Sequence, residues 1–153
     1  EAGTGSGVLT AFLARLAAPD GKIFSYDIRK DCLKIARENL ARVGLADKVE
    51  LKLQDITEGI EEENVDAVVL DMPSPWLVVN HAWTALKPGG SYTAFIPTFN
   101  QMERVVEKLR KTGFVEIKAF EIIERPFKVK TGETRPETLI IGHTGYIVYG
   151  KKP

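Results

Sequence analysis

The chain has 153 residues, 44% hydrophobic and 27% charged, and its 21 basic and 21 acidic side chains cancel to a formal charge of zero. That is one domain with enough apolar material for a core, and the balance excludes attachment to nucleic acid by bulk charge, though not by a local basic patch. The single cysteine, Cys32, excludes an internal disulfide framework and makes a reducing, cytoplasmic compartment the expectation; no apolar run is long enough to cross a bilayer, and nothing resembles a secretion signal.

The chain opens on "EAGTGSG", with glycines at positions 3, 5 and 7. This spacing is not the dinucleotide fingerprint G-x-G-x-x-G, and no G-K-[ST] follows to make a phosphate loop. From Ser6 to Pro19, Val8, Phe12, Leu13 and Leu16 fall on one face, which predicts a helix. "KIFSYD" (22–27) reads as a strand ending on Asp27. Residues 29–44 form a second amphipathic helix through Leu33, Ile35, Ala36, Leu40 and Val43, with Gly44 as its stop. Cys32 lies in that helix and reads as an ordinary small side chain, with pairing between chains as the alternative. "KVELKLQD" (48–55) is a strand ending on Asp55, and the acidic "EGIEEENVD" (58–66) is a solvated connector. "VDAVVLD" (65–71) is a strand ending on Asp71. Residues 76–90 predict a helix closed by Lys87-Pro88-Gly89-Gly90. "SYTAFIP" (91–97) is a strand, and 100–113 a further helix stopped by glycine. Two β-rich runs finish the chain, 114–125 and 138–150, separated by a charged, proline-containing loop.

Strands alternating with helices predict an α/β fold, Rossmann-like, with a mostly parallel twisted sheet covered on both faces. The last two β runs, with no helix between them, should pair antiparallel at one edge. Ligands in such sheets bind past the C-terminal strand ends, where Asp27, Asp55 and Asp71 would lie. A glycine turn of this kind normally follows a buried central strand. With nothing before Glu1, the expectation is a fragment whose natural protein has at least one more strand upstream.

An acid followed by alternate glycines, E-x-G-x-G-x-G, resembles the opening of class I S-adenosylmethionine (AdoMet) methyltransferases. Glycines let the backbone approach a ligand closely, and Glu1 would accept hydrogen bonds from or near its ammonium group. Thr4 and Ser6 complete the turn with Gly3, Gly5 and Gly7. The plain alternative is a tight strand-to-helix connection. Asp27 has the position of a carboxylate that accepts both ribose hydroxyls; otherwise it caps the helix that follows. Asp55 is a candidate acceptor for an adenine amino group, or a solvated strand-end acid. In "LDMPSPW" (70–76), Asp71 precedes a loop stiffened by prolines, which leave carbonyls free to accept hydrogen bonds. Asp71 can instead cap a helix, and Trp76 can stack on a substrate or only pack. Enzymes that methylate exocyclic amines of nucleic acid use the shorter [D/N]-P-P-aromatic, so the geometry here must differ.

Taken together, "EAGTGSG", "SYDIR", "LKLQDI", "VVLDMPSPW", "LKPGGSYTAFIPTFNQ" and "RPETLIIGHTGYIVYGKK" closely resemble the tRNA adenine-N1 methyltransferases, along nearly the whole chain. Enzymes of that family act on position 58 of the T-loop, and some archaeal ones also on 57. The resemblance implies AdoMet as methyl donor, tRNA as partner, an extra N-terminal β domain, and a homotetramer whose bound tRNA spans subunits. It implies that Asp71 is the catalytic acid, accepting from adenine N6–H as positive charge develops on the ring, and that Glu1, Gly3, Thr4, Gly5, Ser6, Gly7, Asp27, Asp55 and Asp71 surround the AdoMet. Many relatives carry glutamate where Asp27 stands, which alters reach but not charge.

Pro73 and Trp76 are candidates for substrate binding, with Arg135, His143 and Thr144 from the tail. Arg135 also reads as an exposed loop arginine and His143 as a satisfied core histidine; His143 and Thr144 interrupt an apolar strand, so both should point at something polar. Tyr146 reads as a core residue before a base-stacking one. Lys128, Lys130, Arg135, Lys151 and Lys152, with Arg104, Lys108, Arg110 and Lys111, form locally basic surface suited to phosphates or simply to solvent. His81 and His143 lack metal-ligand spacing with each other or with Cys32, so no metal is expected. The competing functions are another class I methyltransferase acting on isoaspartate or a small molecule, a nicotinamide dehydrogenase, and a non-catalytic tRNA-placing subunit.

Overall fold

The computed structural model describes residues 1–153. Helices α1 (Val8–Ala17) and α2 (Lys30–Arg42) flank β1 (Ile23–Asp27), which pairs in parallel with β2 (Val49–Leu53). Then come β3 (Val65–Leu70), α3 (Val79–Ala85), β4 (Leu86–Ile96), α4 (Phe99–Thr112) and β5 (Val115–Phe120). A projecting arm carries the two-residue strands β6 (Phe127–Lys128) and β7 (Arg135–Pro136), paired antiparallel, and β8 (Tyr146–Lys151) closes the chain. The strand order β3-β4-β8-β5 is parallel at β3·β4 and antiparallel at both pairs of β8. Ala2 forms parallel bridges with Tyr26 of β1 and Leu70 of β3, so one residue joins the two halves of the sheet.

The main core lies under α3 and α4, where Val79, Ala82, Tyr92, Ala94, Ile96, Val105, Leu109 and Val148 are fully buried. In α4 the buried positions follow the 3.6-residue period: Val105 and Leu109 are sealed, with Met102 and Val106 packed against the same core. Thr98 caps this helix, and Gly113 ends it at φ 107°, with the Phe114 amide returning to the Leu109 carbonyl at 3.1 Å.

Several elements differ from the expectation. The helix expected over 76–90 is three pieces: a 3-10 turn at Pro75–Leu77, α3, and a strand that already begins at Leu86. Pro88 cannot continue a helix, and Gly89, at φ 78°, turns its amide to the Lys152 carbonyl at 2.9 Å. The run 138–150 is a strand only from Tyr146. There β8 has partners on both sides, Ile96 opposite Tyr146 and Phe120 opposite Ile147; residues 138–145 lie beyond the ends of β4 and β5. The run 114–125 likewise stops at Phe120. The two runs do pair antiparallel at one edge of the sheet, as expected, with β5 outermost and β8 beside it.

Helix α1 inverts its expected burial. Val8, Phe12 and Leu16 are exposed, while Thr10 and Ala14 are the buried residues. Small side chains let α1 sit close to the sheet. Leu13 and Leu16 border a cavity of about 700 Å³ that runs between Ile23 and Phe24 of β1 and Val65–Val69 of β3.

Candidate functional site

A cleft of about 620 Å³ opens at the C-terminal ends of β1, β2 and β3, lined by Ala2, Gly3, Asp27, Asp55, Asp71 and Pro73, with Ile28, Thr57, Met72 and Leu77 among its apolar and polar walls. The parallel direction of these strands puts three acids, separated by up to 44 residues of chain, around one space.

The glycine turn supports the cleft floor through two close approaches. Gly3 has φ 93°, and a Cβ there would fall 1.9 Å from the Asp71 carbonyl oxygen. Gly7 has φ 81°, and its Cβ would press on Ala36 of α2 at 3.1 Å. Only a residue without a side chain fits either place.

Asp27 is almost sealed, and both carboxylate oxygens are engaged. Oδ2 accepts the Gly5 amide at 3.0 Å, and Oδ1 accepts the Arg29 amide at 2.9 Å. Asp27 thus ties the glycine turn to the start of α2, with the Arg29 guanidinium also pairing with Oδ1 at 3.5 Å, and a carboxylate so bonded can still accept further hydrogen bonds. Asp55 caps the 3-10 turn Ile56–Glu58, its Oδ1 accepting from the Thr57 amide at 2.9 Å and hydroxyl at 2.7 Å. Those two bonds hold its carboxyl below its ordinary value, and Oδ2 is left free. Asp71 follows β3, its amide held by the Ala2 carbonyl at 2.9 Å, and its exposed carboxylate makes no hydrogen bond or ion pair with the protein.

The proline loop after Asp71 is pinned at both proline carbonyls. Gln101 donates to the Pro73 oxygen at 3.0 Å, and the buried Tyr92 hydroxyl donates to the Pro75 oxygen at 2.9 Å. The two proline carbonyls are therefore engaged within the protein, and the Asp71 carboxylate has no protein partner. Trp76 is half-buried, packs on the core and lies under the Arg104 guanidinium at 5.3 Å.

Other sequence candidates stand away from the cleft. Glu1 lines the larger cavity between β1 and β3. Its Oε2 accepts from the Ser25 hydroxyl at 2.8 Å, and Ser25 in turn bonds the buried Thr4 hydroxyl at 2.7 Å. Burial pushes the Glu1 carboxyl up. The side chain of Ser6 is exposed, and its carbonyl accepts from Asn39. Arg135 is exposed on the arm and bonds the Thr138 hydroxyl. His143 bonds Glu121 at 2.5 Å and the Pro97 carbonyl at 2.9 Å, and faces Tyr146; Thr144 is exposed beside it. No three His, Cys, Asp or Glu side chains gather as a metal site, and no helix is long and apolar enough to cross a membrane.

Sequence reasoning passed over Ser25, Thr57, Tyr92 and Gln101. Ser25 carried a signal: two residues before Asp27 on a strand, it shares that acid's face. Thr57 carried one too, a hydroxyl two residues after an aspartate, which suits a local turn capped by that acid; Tyr92 and Gln101 act across the fold and left none.

A twisted, mainly parallel sheet with a glycine turn and strand-end acids around one cleft is the class I methyltransferase fold. Solved structures agree. A SAM-dependent O-methyltransferase from Thermotoga maritima matches with a TM-score of 0.94 and 39% identity, over 98% of this chain and 57% of that one. A tRNA (m1A58) methyltransferase TrmI from Aquifex aeolicus matches with a TM-score of 0.85 and 28% identity, over 99% and 60%. The family described as tRNA methyltransferase complex GCD14 subunit matches residues 1–146, and the chain belongs to that family. Among curated relatives, a tRNA (adenine(57)-N(1)/adenine(58)-N(1))-methyltransferase TrmI from Methanocaldococcus jannaschii is 40% identical, over 100% of this chain and 64% of that protein. The chain thus spans less than two thirds of that relative's length.

Proposed function

We propose that the protein transfers a methyl group from AdoMet to N1 of adenine in the T-loop of tRNA, at position 58 or at both 57 and 58. The observation that carries this is the cleft in which Gly3, Asp27, Asp55 and Asp71 meet, with the Asp71 carboxylate, unlike those of Asp27 and Asp55, free of protein partners. The names of the relatives from M. jannaschii and A. aeolicus support the same reaction.

The residues fit the donor. Asp27 has lone pairs for ribose hydroxyls, Asp55 has a free Oδ2 for an adenine amine, and the Gly5 position leaves backbone open, with nothing nearer its absent Cβ than 3.9 Å. AdoMet, when bound, supplies an electrophilic methyl on a sulfonium. Glu1 would act through Ser25 and Thr4 on the turn that holds the methionine part, and Ser6 would border it.

The target adenine must leave its stack. Its N1 has no proton to lose, so no strong base is required. The purine ring gains positive charge as the new N–C bond forms. The Asp71 carboxylate, accepting from N6–H, stabilises that charge more than the neutral ground state. Pro73 and Trp76 wall the adenine pocket. Arg135, His143 and Thr144 would contact the tRNA, with the basic residues of α4 and the arm for its phosphates.

Assembly as a homotetramer is part of this reading. Ile122, Ile123, Val129, Leu139 and Ile141 on the arm are largely exposed, an apolar surface that a neighbouring subunit would cover. The lone thiol Cys32 suits a reducing cytoplasm.

The test is mass-spectrometric mapping of tRNA after incubation of the full-length protein with AdoMet. N1-methyladenine at 58, or at 57 and 58, is expected; an unmodified T-loop, or methylation of oxygen on another substrate, overturns the proposal.

A further inference from the structure

We propose that Gln101 is a positioning residue for the methyl transfer, holding the Asp71 loop in register through the Pro73 carbonyl. This rests on the reading of Asp71 above.

The segment from Asp71 to Trp76 has little freedom of its own. The Asp71 amide is fixed to the Ala2 carbonyl, and its own carbonyl abuts Gly3. Pro73 and Pro75 lock their own φ angles and restrict Met72 and Ser74 before them. Beyond Met72, the torsion left open is ψ of Pro73, which sets the direction of the Pro73 carbonyl. Gln101 Nε2 captures that carbonyl at 3.0 Å. With φ locked by the ring and the carbonyl direction locked by Gln101, Pro73 has no soft dihedral left, and Met72 is the one joint between it and the anchored Asp71.

The amide of Gln101 is itself oriented. Its Oε1 accepts from the Thr98 hydroxyl at 2.7 Å, so the NH2 end faces Pro73. A carbonyl can be bonded only by a donor, and Thr98 makes Gln101 present one. Thr98 also receives the Gln101 amide as the cap of α4. The first turn of α4 is thus built onto the end of β4 and reaches across to the loop after β3. Arg104, one turn along, covers Trp76 on the same side. The Tyr92 bond to Pro75 lies two residues further from the acid and is buried; it secures the path of the loop, whereas Gln101 secures the part next to Asp71.

Ionised Glu in place of Gln keeps size and packing but offers no donor. A side chain that only fills space tolerates this exchange; a donor to Pro73 does not. Misplacement of a reacting group by about 1 Å costs on the order of a hundredfold in rate.

The experiment compares wild type, Gln101→Ala and Gln101→Glu as full-length proteins at neutral pH. It measures kcat and KM for tRNA and for AdoMet, thermal unfolding, and amide hydrogen exchange of residues 71–78. Expected for both variants are a kcat lowered about tenfold or more, AdoMet KM within about twofold, unchanged unfolding, and faster exchange confined to the loop. A Gln101→Glu protein with wild-type kcat and wild-type loop exchange overturns the proposal. So does faster exchange spread over α4 and β4, which marks a general loss of stability. If wild type does not methylate tRNA adenine, the functional reading fails, while the loop exchange still decides whether Gln101 holds Pro73.

Discussion

Gly3 and Asp71 are 68 residues apart in sequence, yet a single methyl group on Gly3 would sit 1.9 Å from the Asp71 carbonyl oxygen. The glycine turn and the acid of the third strand are one structural unit. Gly3→Ala must move one of them, and at φ 93° the alanine is strained besides. The expected cost is roughly 3 kcal/mol, read as a lower midpoint in urea. AdoMet affinity should fall with it, because the cleft floor shifts. A Gly3→Ala protein with wild-type stability would mean that the two backbones do not approach as described.

Asp71 itself has no protein partner to lose. Asp71→Ala should leave stability near wild type and AdoMet binding largely intact, while kcat falls by about a hundredfold or more, the scale of removing one charge-stabilising group. Isothermal titration with S-adenosylhomocysteine and single-turnover methylation measure the two halves separately. An unchanged rate removes Asp71 from the mechanism.

Tyr92 is fully buried, and burial pushes its hydroxyl well above the ordinary phenol range, so it stays a donor throughout the working pH range. Tyr92→Phe leaves the Pro75 carbonyl without that bond at the price of no cavity. The expected loss is about 1–2 kcal/mol, measured by denaturant unfolding. Values near zero would mean that the Val78 amide, which also bonds the Pro75 carbonyl at 3.1 Å, satisfies it without Tyr92.

His143 joins the tail to two other elements, and its titration gives that joint a pH dependence. The Glu121 carboxylate first, then the Pro97 carbonyl, raise its pKa above the ordinary 6.5. A raised folded pKa means that the folded state binds the proton more tightly. The stabilisation is fully present below about pH 6.5 and is lost as pH rises through the raised value. The difference in unfolding temperature between wild type and His143→Gln should therefore be largest at about pH 6 and shrink as pH rises through the raised pKa. A difference that grows with pH contradicts the assignment. Tyr146 and Phe99, stacked at 4.8 Å beside this histidine, are uncharged and do not reverse the sign.

What the sequence determined by itself is the local grammar. Alternating β and helical periods dictated an α/β order; Gly44 and Gly113 marked helix ends because both must take positive φ; Asp27, Asp55 and Asp71 appeared at strand ends because short apolar runs stop there. These features depend on neighbours within a few residues. Tertiary structure alone decided the rest. Whether 138–145 is strand depended on how far β4 and β5 extend, and no window of sequence contains that. Which face of α1 is buried depended on how the helix lies against the sheet, and Thr10 and Ala14 went inward while Phe12 and Leu16 stayed out. Gln101 and Tyr92 became partners of Pro73 and Pro75 because the strand order lays β4 beside β3. Hydrogen bonds between distant segments follow from topology, and a side chain carries no local mark of the carbonyl it will meet.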